Sequence, residues 1–181
     1  MSEHRYKNAL DVGYSSNDLG RFRVLDGLKF NSVLDVGSGP CLLHGWIVSN
    51  RVEASYDAFD IRAESLSFCR CPVHFDFPVG RKFDLVCLFG TTGYDAHPGT
   101  DRSKEMYANL LMLSASSASR YLVFTLMKDF EEEGILGGRN VRGILHYTRR
   151  EATEVASSLG ASYFTTPAYH ELTEHLFICH M

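Results

Sequence analysis

The residues best suited to chemistry surround a glycine turn in SVLDVGSGPCLLHGW, Ser32 to Trp46. An apolar run holds Asp35, Gly37 and Gly39 flank Ser38, and a helical pattern opens around Pro40 and Cys41. Glycine suits this place because the turn is tight and a ligand must approach the backbone with no Cβ in the way. A second acid, Asp60, ends the next strand-like run. In doubly wound folds a carboxylate there takes the two hydroxyls of a ribose. Asp35 narrows the ligand further. An acid beside the turn would repel a dinucleotide pyrophosphate, which counts against a nicotinamide dehydrogenase. The plainer readings are a structural strand-to-helix turn for the glycines and, for Asp60, an N-cap of a helix starting near Ala63.

A second group of reactive residues lies in TTGYDAHPGTDR, Thr91 to Arg102, after the apolar run FDLVCLF. Tyr94, Asp95 and His97 are its proton acceptors, and histidine is the side chain that titrates near neutral pH. Gly93, Pro98 and Gly99 are also ordinary turn formers. Cys69, Cys71 and His74 spell C-x-C-x-x-H. A closed zinc site needs four ligands and the spacing places no fourth, so no metal is expected. The remaining histidines, among them His44, His146, His170, His175 and His180, read as packing, surface or strand-end residues. Glu131 to Asn140 reads as a flap over a substrate or a solvated loop. Arg139, Arg142, Arg149 and Arg150 could meet phosphates or simply face water.

Strands alternating with helices must position these groups. Ser32–Val36, Glu53–Ile61, Pro72–Phe75, Phe83–Phe89 and Arg120–Leu126 read as strands. Helices are expected over Cys41–Ser49, Ala63–Phe68 and Ser103–Ser117, the last with Met106, Leu110 and Leu113 on one side. Pro40 fits a first helical position. Thr148 and Glu151 form a capping box that opens a helix through Leu159, and Gly160 stops it. Ala161–Thr165 and His175–His180 are two further strands. Only a loop joins them, which suits an antiparallel end to an otherwise parallel sheet. The first thirty residues suggest one or two helices, the second capped by Ser16 and running to about Leu28.

With 181 residues the chain is expected to be one domain, 1–181, with a helical arm or lid over 1–30 and a ligand-binding core over 31–181. Hydrophobic residues are 45% and charged residues 22%, enough for a core without staples. No apolar run is long enough for a membrane span, and MSEHRYKNAL is too polar for the core of a signal peptide. The five cysteines form no spaced framework, so the expected compartment is a reducing cytoplasm. A net charge of −4 argues against binding nucleic acid through bulk charge.

VLDVGSG resembles the first motif of the class I S-adenosylmethionine (SAM)-dependent methyltransferases. YDAFDI resembles the second motif, HFDFP the third and FDLVCLFG the fourth strand motif. LHYTRREATEVASSLGA resembles the late helix, and HLFICH the last strand. The resemblance implies a doubly wound, Rossmann-like α/β fold with a seven-stranded, mostly parallel sheet in the order 3-2-1-4-5-7-6. It implies SAM as cofactor, held by Asp35, Gly37, Ser38 and Gly39 at the turn and by Asp60 on the ribose. Ile61 would lie beside the adenine, Asp76 at its amino group and Phe77 along its pocket, with Phe89 and Gly90 reaching the cofactor. The third glycine position of the family's turn is Cys41 here. The implied activity is in-line methyl transfer to an oxygen or nitrogen of a small molecule or sugar, with His97, Tyr94 or Asp95 taking the proton. LFGTTGY lacks the N/D-P-P-Y clamp of amino-methylating enzymes. The lysine-aspartate-lysine-glutamate tetrad of ribose methylation fits only loosely, through Lys7, Lys128 and Glu174, with Phe89 at the aspartate position. Cys87 lies inside a strand, away from the role that pyrimidine carbon methylation requires. An RNA methyltransferase and a non-catalytic, cofactor-binding or partner-binding subunit of the same fold remain as alternatives.

Overall fold

The computed structural model describes residues 16–61, 69, 71–91, 102–132, 134, 144–165 and 174–181. Its seven strands are β1 Ser32–Val36, β2 Ser55–Phe59, β3 Val73–His74, β4 Phe83–Leu88, β5 Ala118–Met127, β6 Tyr163–Thr165 and β7 Glu174–His180. They form one sheet in the order β3-β2-β1-β4-β5-β7-β6. The five strands from β3 to β5 pair in parallel, and β7 runs antiparallel to both β5 and β6. This is the expected order, including the antiparallel end.

Side-chain alternation explains why both faces of the sheet are covered. Leu34, Val36, Val86, Leu88, Leu122 and Phe124 face one core, which α2 (Arg102–Ser117) and α3 (Arg149–Ser158) complete with Tyr107, Leu111, Ala152 and Ala156. Val33, Leu85, Cys87 and Val123 face the other. There α1 (Leu42–Ser49) contributes Leu43, Trp46 and Ile47, and η1, a 3-10 helix over Ser16–Leu25, contributes Phe22 and Leu25. No helix among the described residues is long and apolar enough to cross a membrane.

Three local expectations need correction. The N-terminal element is a 3-10 helix ending at Leu25, not an α-helix to Leu28, and Gly27 turns the chain with φ +86°. Pro40 is not the first helical residue, because Cys41, in left-handed conformation at φ 57°, is the N-cap of α1. The sheet-facing side of α2 carries Ser103, Tyr107, Leu111 and Ala115, whereas Met106 and Leu113 are 42% and 41% exposed. The buried Ser114 hydroxyl fits that orientation because the helix satisfies it, through a 2.8 Å bond from Ser114 Oγ to the Leu110 carbonyl.

The capping box of α3 forms as expected. The Glu151 N–H donates to Thr148 Oγ1 at 3.2 Å, and the Thr148 N–H donates to Glu151 Oε2 at 2.8 Å. Gly160 follows the helix with φ +72°. Thr148→Ala is expected to cost about 1 kcal/mol of stability, read as a lower urea midpoint with an unchanged slope.

Candidate functional site

Parallel pairing brings the ends of β1, β2 and β4 to one edge, where the turn between β1 and α1 emerges. The N–H groups of Gly37 and Ser38 both donate to the Phe59 carbonyl, at 2.7 and 3.2 Å. They lock the turn onto the end of β2. The Gly39 N–H donates to Asp60 Oδ2 at 2.9 Å. Asp60 is buried, and its carboxylate bears directly on the glycine turn.

The two glycines have different reasons to be glycine. A Cβ at Gly37 (φ +71°) would lie 2.3 Å from Thr91 Cγ2, and Thr91 Oγ1 is tied to the Val36 carbonyl at 2.7 Å. Gly37 therefore makes room for Thr91, three residues past the end of β4, a packing role that the sequence did not disclose. At Gly39 (φ +49°) a Cβ would meet no atom within 4 Å, so the turn is open on that side. Cys41 takes the third glycine position of the motif and adopts the left-handed backbone that a glycine would have taken without strain.

Asp35 is buried beneath the turn and accepts a hydrogen bond from the Tyr56 hydroxyl. Burial pushes its carboxyl up to about 7; the Tyr56 bond opposes this, and the negative charge of Asp60 adds to it. Burial, and then Asp35 itself, hold the Tyr56 phenol well above its ordinary value. Ser38 Oγ is buried with no hydrogen-bond partner among the described residues. A cavity of about 20 Å³, room for one water, is lined by Arg21, Phe22, Asp35, Gly37, Ser38 and Phe89 among others.

Arg21, Tyr56 and Thr91 belong to this site and were not foreseen. Arg21 is carried over the turn by η1, whose Phe22 packs edge-on against Phe89 with ring centroids 5.2 Å apart. A polar first segment gives no sign of a buried cation. The structure brings Asp35, Gly37, Ser38, Gly39, Asp60 and Phe89 together at this turn. The Gly90 N–H donates to Thr125 Oγ1 at 2.9 Å, fixing the chain just past β4. Phe77 packs edge-on against Phe59 at 5.4 Å, beyond the end of β2. Ile61 is 81% exposed, and Asp76 is also exposed. Tyr94, Asp95 and His97 lie outside the described residues.

The cysteines depart from expectation. Cys41 and Cys69 form a disulfide, and Cys71 Sγ lies 3.9 Å from Cys41 Sγ. His74 does not join Cys69 and Cys71. It pairs with Asp57 at 3.0 Å, which Arg81 also meets at 2.8 Å. The parallel pairs β1·β2 and β2·β3 put the start of α1 beside the chain entering β3, a proximity that a sequence separation of 28 conceals. Cys87 and Cys179 are buried thiols.

No family model matches the chain, and no curated protein matches it. Solved structures do. A magnesium protoporphyrin IX methyltransferase from Synechocystis with bound SAH aligns at a TM-score of 0.62 and 14% identity, over 91% of this chain and 80% of that one. A SAM-dependent methyltransferase from Clostridium acetobutylicum aligns at 0.65 and 11%, over 98% and 96%. Human N-acetylserotonin methyltransferase in complex with SAM aligns at 0.69 and 16%, over 94% of this chain but only 53% of its own length. With its strand order β3-β2-β1-β4-β5-β7-β6, the chain has the Rossmann-like fold shared with these class I SAM-dependent methyltransferase structures.

Proposed function

We propose that the chain binds SAM and transfers its methyl group to an oxygen or nitrogen of a small molecule or sugar. The observation that carries this reading is the buried Asp60 carboxylate set on the backbone of the open glycine turn, 2.9 Å from the Gly39 N–H. The residue types present suit the cofactor's groups, although the cavity that Arg21, Asp35 and Ser38 line holds only about 20 Å³, so the chain above the turn must shift to admit it. Asp60 suits the ribose hydroxyls, and the open side of Gly39 admits a ligand without steric conflict. Asp35 suits a cationic group, Arg21 suits a carboxylate, and Ser38 Oγ is a buried hydroxyl that needs a partner. Ile61, Asp76 and Phe77 follow β2 and β3 and would serve the adenine. When bound, SAM supplies an electrophilic methyl group with a good leaving group. The chain's own task is to orient the acceptor, exclude water and take one proton.

Tyr94, Asp95 and His97 follow β4, the edge where open α/β sheets place their ligands, and are assigned to the proton-accepting role. A small-molecule acceptor is in keeping with the neighbours named for magnesium protoporphyrin IX and N-acetylserotonin. Titration calorimetry with SAM and with its demethylated product, SAH, tests the cofactor. Binding is expected, and Asp60→Ala should weaken it by about 1.5–3 kcal/mol, the value of hydrogen bonds to a charged group. No heat and no thermal shift at millimolar ligand would overturn the assignment.

A further inference from the structure

We propose that Cys41, Cys69 and Cys71 form a three-thiolate site for a thiophilic divalent cation of the zinc class, and that the Cys41–Cys69 disulfide is the oxidised, metal-free form of that site. The three Sγ atoms lie within 4.8 Å of one another. Two thiolates on a tetrahedral zinc, each with a Zn–S bond of about 2.3 Å, stand about 3.8 Å apart. Cys71 Sγ is already 3.9 Å from Cys41 Sγ. A structural disulfide needs two sulfurs and leaves the third unexplained, whereas a thiophilic cation uses all three.

The surroundings suit such a cation. Cys41 is the N-cap of α1, where the helix dipole stabilises a thiolate. Its backbone is fixed by a 2.9 Å bond from its N–H to the Ser38 carbonyl. Cys69 and Cys71 are half-buried, so water can reach the cluster and supply a fourth ligand. Cys71 also lines an open groove of about 480 Å³ with His44, Tyr56 and Pro72, which gives the cation a path. The Cα atoms of Cys41 and Cys69 are 5.5 Å apart. Rotation about the two Cα–Cβ bonds separates their sulfurs once the bond is broken.

The chemistry balances with a dithiol reductant. Its two thiols deliver two electrons and two protons to the Cys41–Cys69 bond, yielding two cysteine thiols and the reductant's own disulfide. The cation then displaces the three thiol protons to solvent and forms three metal–sulfur bonds. Disulfide and cation exclude one another.

The experiment titrates the full chain with Co²⁺ after reduction by excess dithiothreitol and anaerobic desalting. The reduced protein should bind one equivalent, shown by a thiolate-to-cobalt charge-transfer band that Zn²⁺ abolishes. The oxidised protein should give no band. Cys71→Ser leaves the Cys41–Cys69 pair intact, so circular dichroism can confirm its fold. Its affinity should fall at least about tenfold, as loss of a direct ligand must exceed the lower end of outer-shell effects. A reduced protein that takes up no Co²⁺, a Cys71→Ser variant that binds as tightly as the parent, or equal binding by the oxidised protein would each overturn the proposal. None of these readings depends on SAM binding.

Discussion

Gly37→Ala is expected to destabilise the fold by about 2–5 kcal/mol, from two separable causes. Its φ of +71° lies in the left-handed region, where an L side chain costs about 1–2 kcal/mol. The new methyl would also stand 2.3 Å from Thr91 Cγ2 and 2.4 Å from Thr91 Oγ1. Thr91 is held by its 2.7 Å bond to the Val36 carbonyl, so moving it breaks that bond. Overpacking of this kind costs about 1–3 kcal/mol. Gly39→Ala supplies the control, since its φ is also positive but its Cβ meets nothing within 4 Å. It should lose only the backbone part. Urea midpoints for the two variants, and for Gly37→Ala combined with Thr91→Gly, separate the causes. Equal losses at Gly37 and Gly39, or no recovery in the double variant, would show that contact with Thr91 is not what requires glycine.

That contrast marks what a sequence can and cannot carry. The capping box of α3 was legible because its partners, Thr148 and Glu151, are three residues apart and act locally. FDLVCLF was legible as a central strand because both of its faces meet apolar cores, Val86 and Leu88 on one side and Leu85 and Cys87 on the other. The meeting of Asp35, Gly37, Gly39 and Asp60 at one turn was legible because glycines after an apolar run mark a tight strand-to-helix turn, and the end of the next parallel strand lies beside it. Thr91 was not, because nothing in its neighbours announces that it packs against a turn on another strand. Arg21 and Tyr56 share that cause, as does the meeting of Cys41 with Cys69. The face of α2 was misread for a different reason. Apolarity marks a buried face only when large side chains fill it, and α2 buries Ser103, Ser114 and Ser117 while leaving Met106 and Leu113 in water.

The second large effect is a loss of stability as pH rises from about 4 to about 7. Burial, with the charge of Asp60 adding and the Tyr56 hydroxyl opposing, moves the Asp35 carboxyl from an ordinary 3.8 to about 7. Below pH 4 it is protonated in both folded and unfolded chains and contributes nothing to the balance. Between the two values the unfolded chain has lost its proton and the folded chain has kept it. The unfolded state then binds fewer protons, so stability falls with rising pH. Above about 7 both are ionised and the penalty is constant, at roughly 4 kcal/mol for a shift of this size. Asp35→Asn cannot ionise, and its amide oxygen can still accept from Tyr56. The parent-minus-variant difference in urea stability should therefore fall across this window and level off above it, which cancels the titration of every other carboxylate. A cationic ligand reverses the preference by favouring ionised Asp35. If the ligand is SAM, its affinity should fall by up to about tenfold per pH unit below about 7, with one proton released on binding, and Asp35→Asn should abolish both effects. Calorimetry in buffers of different ionisation heat reads the proton directly. A flat difference curve would mean that Asp35 ionises like an exposed acid. Proton-free binding on top of it would remove the linkage between this carboxyl and the ligand, leaving Asp60 to carry recognition at the turn.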